Sequence, residues 1–153
     1  MKNIVLVVLR DRRYAIELRW VQEIFSLVHL TPVPTAPRSI AGAVNFRGAI
    51  VPVVLAPPLL TGIGEAPQPP LRIPVPGDTI VLLDAAGIKA GLAVDRIDEV
   101  STLDVSSRDP GFLVDKQGME VRLLDPPALL ETARIQVGEA AASGSSTPSK
   151  VES

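Results

Sequence analysis

Residues 40–53 read IAGAVNFRGAIVPV, and this stretch decides the fold. It consists of two aliphatic runs on either side of Asn45-Phe46-Arg47-Gly48. Glycine adopts positive φ without steric cost, so Gly48 can turn the chain between two strands. The stretch therefore predicts a β-hairpin with Arg47 projecting from its tip.

The rest of the chain is also made of short aliphatic runs, and it predicts a mainly β fold. There are 15 prolines in 153 residues, which excludes long helices from most of the chain, and the runs are rich in Val and Ile, as strands are. Asp11-Arg12-Arg13 and Ala85-Ala86-Gly87 are the predicted hairpin turns. The predicted strands are Ile4–Leu9, Tyr14–Leu18, Glu23–Leu27, Ala43–Asn45, Ala49–Leu55, Thr79–Asp84, Ile88–Val94, Glu99–Leu103, Phe112–Val114 and Met119–Leu124.

Three short helices are predicted, at Arg19–Gln22, Pro37–Ala41 and Asp125–Thr132. The last has Asp125 as its N-cap and Pro126 at the first helical position, where a missing N–H costs nothing.

The two halves of the chain resemble each other. Residues 15–27 align without a gap on residues 91–103, an offset of 76, and residues 51–60 align on residues 121–130, an offset of 70. Two matches in the same order indicate a duplicated strand unit and hence two related barrels, although similarity between aliphatic segments can also arise by chance.

These features predict one domain over residues 1–137, with a first strand at 4–9 and approximate halves at 10–64 and 78–132. The proline-rich residues 65–77 are expected to form a loop between the halves. Residues 138–153 are dominated by Ser, Gly and Ala with little to bury, so they are predicted to be a disordered tail.

Composition excludes several classes of function. A net charge of −2 gives no overall attraction to nucleic acid, and no segment has the length and apolarity expected of a membrane insertion. Without cysteine there are no disulfides or thiolate sites, and His29 is the single histidine, so no metal or cofactor is expected. The N-terminus lacks a signal-peptide pattern, which favours a cytoplasmic location.

Two alternatives to a protein-binding role stay open. An enzyme could use clustered carboxylates, namely Asp95 with Asp98 and Glu99 or Glu120 with Asp125, but solvated loop charges explain these clusters. A barrel could also hold a small apolar ligand, although an even Val/Leu/Ala core argues against a cavity.

The remaining unusual feature is the polar turn Asn45-Phe46-Arg47-Gly48. An arginine at a hairpin tip suits a carboxylate or a backbone carbonyl of a partner, while the structural alternative is a local surface salt bridge. Trp20 is a weaker candidate for a partner contact, since partial packing in the core would also explain it.

At this stretch the sequence resembles the CheW family, through its glycine, valine, Asn-x-Arg-Gly and Pro-Val pattern. Further pieces follow in the family's order, from Tyr14-Ala15-Ile16 to Gly91-Leu92-Ala93-Val94-Asp95 and Leu123-Leu124-Asp125. The resemblance implies two SH3-like five-stranded β-barrels with a short C-terminal helix, in a non-enzymatic adaptor that joins the cytoplasmic tip of a chemoreceptor to the regulatory domain of a CheA-type histidine kinase.

Residue by residue, the resemblance places Asn45, Phe46, Arg47 and Gly48 in the receptor contact. Val94 and Asp95, with Trp20, are weaker partner contacts. The chain departs from the family pattern after Val53, where Leu55 stands in place of a helix-capping aspartate. A divergent accessory member, which binds a receptor but couples weakly to the kinase, therefore remains an alternative.

Overall fold

A computed structural model describes the backbone of residues 1–34, 36–37, 39–55, 73–85 and 87–146, and the side chains of these residues except 136 and 138–146. All ten predicted strands are present in this part of the chain, most of them longer than expected. The strands are β1 (Lys2–Leu9), β2 (Arg12–Glu17), β3 (Val21–Ser26), β4 (Ile40–Phe46), β5 (Ala49–Leu55), β6 (Thr79–Ala85), β7 (Ile88–Val94), β8 (Arg96–Val105), β9 (Phe112–Val114) and β10 (Glu120–Leu123).

The strands form two five-stranded sheets. One is a closed barrel in the order β1-β2-β10-β9-β8, in which β8 pairs with both β1 and β9. The other, called here the open sheet, has the order β3-β6-β7-β5-β4 and no ladder between its edge strands β3 and β4.

Strands β1 and β6 are apolar on both faces because each lies between two cores. Ile4 and Leu6 point into the closed barrel, whereas Val5 and Val7 point to a central core that the two sheets share. In β6, Ile80 belongs to the core inside the open sheet. Alternate residues of a strand face opposite sides, so a continuous run of aliphatic residues is what a doubly buried strand requires.

The internal repeat has a structural counterpart. In the closed barrel Val5 pairs with Ile16 across the β1–β2 hairpin, and in the open sheet Val81 pairs with Leu92 across the β6–β7 hairpin. Both members of the pair are shifted by 76 residues (5 to 81 and 16 to 92), the offset found in the sequence. The two hairpins thus have the same register.

The parallel pairs show how the repeats combine. Ala15 of β2 pairs with Leu123 of β10, and Gly91 of β7 pairs with Val53 of β5. Each sheet therefore takes strands from both halves of the sequence. The expected halves at 10–64 and 78–132 are repeats of sequence, but neither half corresponds to one sheet.

Helix α1 (Pro126–Ser146) follows the last strand and covers the central core with Leu129, Leu130 and Ala133. The Oδ1 of Asp125 accepts the N–H of Ala128 at 3.3 Å, as its predicted capping role requires. The backbone stays helical well beyond Thr132 and through part of the predicted tail, in a segment rich in alanine, the best helix former. Residues 147–153 lie outside the described residues.

Of the two other predicted helices, the one at Arg19–Gln22 is present only as a shorter 3-10 turn, and the one at Pro37–Ala41 is wrong. Leu18–Trp20 form a single 3-10 turn and β3 begins at Val21. Among the described residues near Pro37, Ile40 N–H donates to Pro37 C=O at 3.0 Å, and Ile40 already starts β4. Most of the proline-rich loop, residues 65–72, lies outside the described residues. In the described part of the chain no helix has the length and apolarity needed to span a membrane.

Candidate functional site

The tip of the β4–β5 hairpin is a tight two-residue turn. Arg47 and Gly48 have φ values of 52° and 86°, and positive φ at both central residues is the signature of a type I′ turn. The N–H of Gly48 donates to Oδ1 of Asn45 at 2.9 Å. Asn45 thus acts first as a support for the turn, and the turn holds Arg47 in a conformation that side-chain-bearing residues rarely adopt.

The side chain of Arg47 is 72% exposed, yet two weak contacts orient it. Its guanidinium carbon lies 4.9 Å from the ring centre of Phe46, and one of its nitrogens lies 3.5 Å from a carboxylate oxygen of Glu23 in β3. An exposed pair at this distance contributes about 1 kcal/mol or less. The local salt bridge foreseen as the structural alternative therefore exists, and it leaves most of the guanidinium accessible.

Side chains bridge the gap between β3 and β4, which we call the seam. Phe25 of β3 stacks on Phe46 of β4, with ring centres 4.9 Å apart. Beside this pair the seam widens into a groove of about 560 Å³, the seam groove. Its floor and walls are Phe25, Ser26, Val28, His29, Thr31, Ala43, Val44, Asn45, Phe46, Arg47 and Ile50.

Gly48 offers a direct test of the turn geometry. A Cβ at this position would meet nothing within 4 Å, so Gly48→Ala adds backbone strain without a packing clash. We expect a loss of about 1 kcal/mol in the free energy of unfolding, measured by urea denaturation. Gly48→Asn should lose less because asparagine tolerates positive φ, and equal losses for the two variants would contradict the type I′ assignment.

The weaker candidates do not join the hairpin tip. Val94 is 4% exposed within the central core, so its assignment as a partner contact is corrected to a packing role. Asp95 is exposed, and its Oδ2 accepts the N–H of Arg10 at 2.7 Å in the β1–β2 turn. Trp20 is half-buried against the central core, with Arg19 stacked 4.5 Å above its ring.

The structure adds residues that the sequence interpretation missed. Glu23 and Phe25 face the hairpin from β3, while Val28 and Ile50 expose 82% and 71% of their surface beside it. One signal was available, since Glu23 aligns with an identical charged residue, Glu99, in the repeat. The exposure of two large aliphatic residues is a tertiary feature that no local pattern indicates.

Four of the five carboxylates considered for catalysis have structural partners, Asp95 through the Arg10 N–H described above. Asp98 lies 3.8 Å from Arg13, and Asp125 caps α1. Glu120 accepts hydrogen bonds from Arg108 and from Ser106, the latter at 2.6 Å, and these bonds lower the pKa of Glu120 below its usual value. Among the described residues no group of acidic or histidine side chains has the arrangement of a metal site.

The space that each five-stranded sheet encloses is filled with buried aliphatic side chains. This packing argues against a ligand held inside either barrel. An apolar cavity of about 360 Å³ does occur, but it lies outside the sheets, between α1 and the open sheet, with Ile40, Val54 and Leu130 in its wall.

Comparison with known proteins bears on the domain as a whole. The family model described as the CheW-like domain matches residues 3–134. A protein named "Chemotaxis protein CheW" from Rhizobium meliloti (strain 1021) is 30% identical over 100 residues, which is 65% of this chain. The match spans 58% of that relative's length.

Among solved structures, the scaffolding protein TtCheW from Thermoanaerobacter tengcongensis superposes with a TM-score of 0.64 at 25% identity. The superposition covers 84% of this chain and 86% of that one. It confirms the predicted mainly β fold of two SH3-like barrels with a C-terminal helix. By the extent of the family match and by its fold, this chain belongs to the CheW-like domain family.

Proposed function

We propose that this protein is a non-enzymatic adaptor of bacterial chemosensory signalling and that it binds the cytoplasmic tip of a chemoreceptor at the β4–β5 hairpin. The observation that carries the proposal is Arg47, held in a positive-φ turn, largely exposed, and presented beside apolar surface in a CheW-like domain. A planar guanidinium can bind a carboxylate through two parallel hydrogen bonds, while neighbouring apolar side chains exclude water from the contact.

The surroundings of Arg47 suit a protein partner. Val28 and Ile50 expose large aliphatic side chains next to it, and such a combination of an arginine anchor with apolar surface is typical of interface centres. Glu23 keeps the guanidinium near the seam before a partner arrives, which reduces the conformational entropy lost on binding.

The kinase side of the adaptor is a second part of the proposal. The family resemblance supports binding to the regulatory domain of a CheA-type histidine kinase, at residues that we do not assign. One departure from the family pattern follows Val53 and includes Leu55, at the end of β5, and residues 56–58, which lie outside the described residues. A second is the shortened segment around Ser106–Phe112. An accessory protein that binds the receptor and couples weakly to the kinase is therefore the alternative, and a cytoplasmic location is part of either proposal.

Charge reversal at Arg47 tests the receptor contact. In a pull-down with a receptor hairpin-tip fragment, we expect Arg47→Glu to weaken binding by at least about tenfold, because a carboxylate would then face the partner's carboxylate or carbonyl. Arg19→Glu is a closely matched control. Arg19 is 64% exposed, stacks on an aromatic ring and pairs with Glu17 at 3.2 Å, so it shares the environment of Arg47 at a different place.

The outcomes separate the parts of the proposal. Equal weakening by Arg47→Glu and Arg19→Glu would contradict the assignment of the hairpin tip, and failure of the wild type to bind would overturn the receptor-adaptor proposal itself. Adding the kinase to the same pull-down distinguishes the alternatives, since a coupling adaptor retains kinase and receptor together whereas the accessory protein retains the receptor alone.

A further inference from the structure

The seam is open in one sheet and closed in the other, although the two sheets are related by the repeat. In the closed barrel Asp104 and Val105 of β8 pair with Val114 and Leu113 of β9. The equivalent strands of the open sheet are β3 and β4, which share no such ladder. The closed barrel therefore shows what an occupied edge looks like at this position of the fold.

The open seam has a simple cause in chain length. In the closed barrel Leu103 is buried and Ser106 donates its N–H to Phe112, with two residues between them. In the open sheet the equivalent residues are Leu27, which is also buried, and Thr31, which bonds to Ala43, with three residues between them. The additional residue carries the chain away from β4.

The backbone of Asn45 faces this opening. Pro52 has no N–H, so Ala43 and Pro52 form a pair without backbone hydrogen bonds. The N–H and C=O of Ala43 therefore point away from β5, to the free edge of β4. There both groups bond to Thr31 at 2.8 Å. Asn45, two residues further on, has the same orientation, and among the described residues its N–H and C=O have no partner.

We propose that the seam groove accepts an extended segment of a partner protein, which adds as a short antiparallel strand to the free edge of β4 at Asn45. The segment would occupy the place that Asp104 and Val105 take in the closed barrel. Strand addition of this kind obtains affinity from main-chain hydrogen bonds and specificity from side-chain pockets.

The lining of the groove indicates the chemistry of that segment. Arg47 and His29 are its two ionisable residues, and no carboxylate is among its lining residues. Val28 and Ile50 provide exposed apolar surface. We therefore infer an acidic residue next to an apolar one. This inference goes beyond the proposed function and does not rest on it, because a receptor could bind the Arg47 side chain without using the edge of β4.

A peptide with the chain's own sequence at 101–106, Ser-Thr-Leu-Asp-Val-Ser, is the natural probe, blocked at both ends and titrated into the isotope-labelled protein. We expect the amide resonance of Asn45 to shift on binding. Asn45→Pro removes the outward N–H without breaking the β4–β5 ladder, and it should weaken binding by about tenfold. Asn45→Ala is the reference for this comparison, since it loses the same side chain but keeps the N–H, and Asn45→Pro should bind about tenfold more weakly than Asn45→Ala.

Methylation of the peptide at the Asp nitrogen provides a second test on the unchanged protein, should the proline variant not fold. The methylated peptide should bind the wild type about tenfold more weakly, because the donor to the Asn45 carbonyl is lost.

Equal binding by Asn45→Pro and Asn45→Ala, equal binding of both peptides, or no binding at millimolar peptide would each overturn the proposal. A His29 amide that is hydrogen-bonded in the free protein would also overturn the proposal. The segment between Leu27 and Thr31 would then itself occupy the edge of β4 and leave no place for a partner. Because Arg47 is unchanged in these tests, their failure is distinguishable from failure of the receptor pull-down.

Discussion

Replacing Gly42 by alanine is expected to lower the free energy of unfolding by about 2 to 4 kcal/mol, measured by urea denaturation. Gly42 is buried and has a φ of 156° in the bulge where β4 shifts its register against β5. A Cβ there would lie 2.6 Å from the backbone oxygen of Thr31 and 2.8 Å from Cγ of Leu30. The backbone oxygen cannot move without breaking the bridge between Thr31 and Ala43, so the clash has no inexpensive relief.

The repeat supplies a matched control for this variant. Gly111 precedes β9 as Gly42 precedes the tip of β4, and a Cβ at Gly111 would meet one atom, Oδ1 of Asp109, at 3.3 Å. That atom is the end of a side chain and can shift. Gly111→Ala should therefore cost about 1 kcal/mol or less. Equal losses in the two variants would contradict the close approach of the 30–31 segment to β4.

Asp115 is expected to be the most important polar residue for stability, and Asp115→Ala should cost about 2 to 4 kcal/mol at neutral pH. Its side chain is 4% exposed and forms an ion pair with Arg13. Its Oδ1 also accepts the N–H of Gln117 at 2.9 Å and of Met119 at 2.8 Å, so it organises the connection between β9 and β10. Truncation would leave these donors and the guanidinium without their acceptor.

The contribution of Asp115 to the free energy of unfolding should decrease as the pH is lowered. The hydrogen bond from Arg13 holds the pKa of the Asp115 carboxyl below its usual value, despite the opposing effect of burial. The unfolded chain, with a pKa of about 3.9, therefore takes up the proton more readily than the folded protein. The stabilisation is fully present above about pH 4. It is lost as the pH falls through the lowered pKa that Asp115 has in the folded protein.

Unfolding free energies measured from pH 7 downward test this expectation. The difference between the wild type and Asp115→Asn, which keeps an acceptor for the two backbone donors, should narrow below about pH 4. Asp104→Asn is the control at an exposed carboxylate and should stay within about 0.5 kcal/mol of the wild type. A difference for Asp115→Asn that does not change with pH would show that the ion pair with Arg13 does not set the stability.

The elements of this fold are readable from sequence because each depends on local chemistry. Runs such as Ile4–Leu9 predict strands, and Gly48 and Gly87 mark turns that need positive φ. Asp125 followed by a proline indicates a helix N-cap, and Asp125 does cap α1. The helix predicted at Arg19–Gln22 is cut short and the one at Pro37–Ala41 is absent for one reason. Val21 and Ile40 belong to strands whose partners, β6 and β5, contribute pairing that propensity alone does not contain.

The arrangement of the site could be predicted only in part. The hairpin tip at Asn45–Gly48 follows from its own residues, but the approach of Glu23 and Phe25 depends on how the open sheet curves. The burial of Val94 likewise depends on the central core between the sheets. The open seam results from one additional residue between Leu27 and Thr31. The sequence alone does not show that this residue opens the edge of β4, because that conclusion needs the comparison with the paired strands β8 and β9.

The exchange of strands between the two sheets has a consequence for how the protein is made. Leu6 of β1 pairs with Glu99 of β8, 93 residues later in the chain (6 to 99), and β2 obtains its parallel partner only when β10 is synthesised. A growing polypeptide has every strand of the open sheet once Val94 is synthesised, but the closed barrel is complete only when β10 has followed, near the end of the domain. Contacts so distant in sequence slow folding. We therefore infer that the first half of the chain, synthesised alone, is a pair of unfinished sheets with exposed apolar faces, and that the domain acquires its stability as one unit.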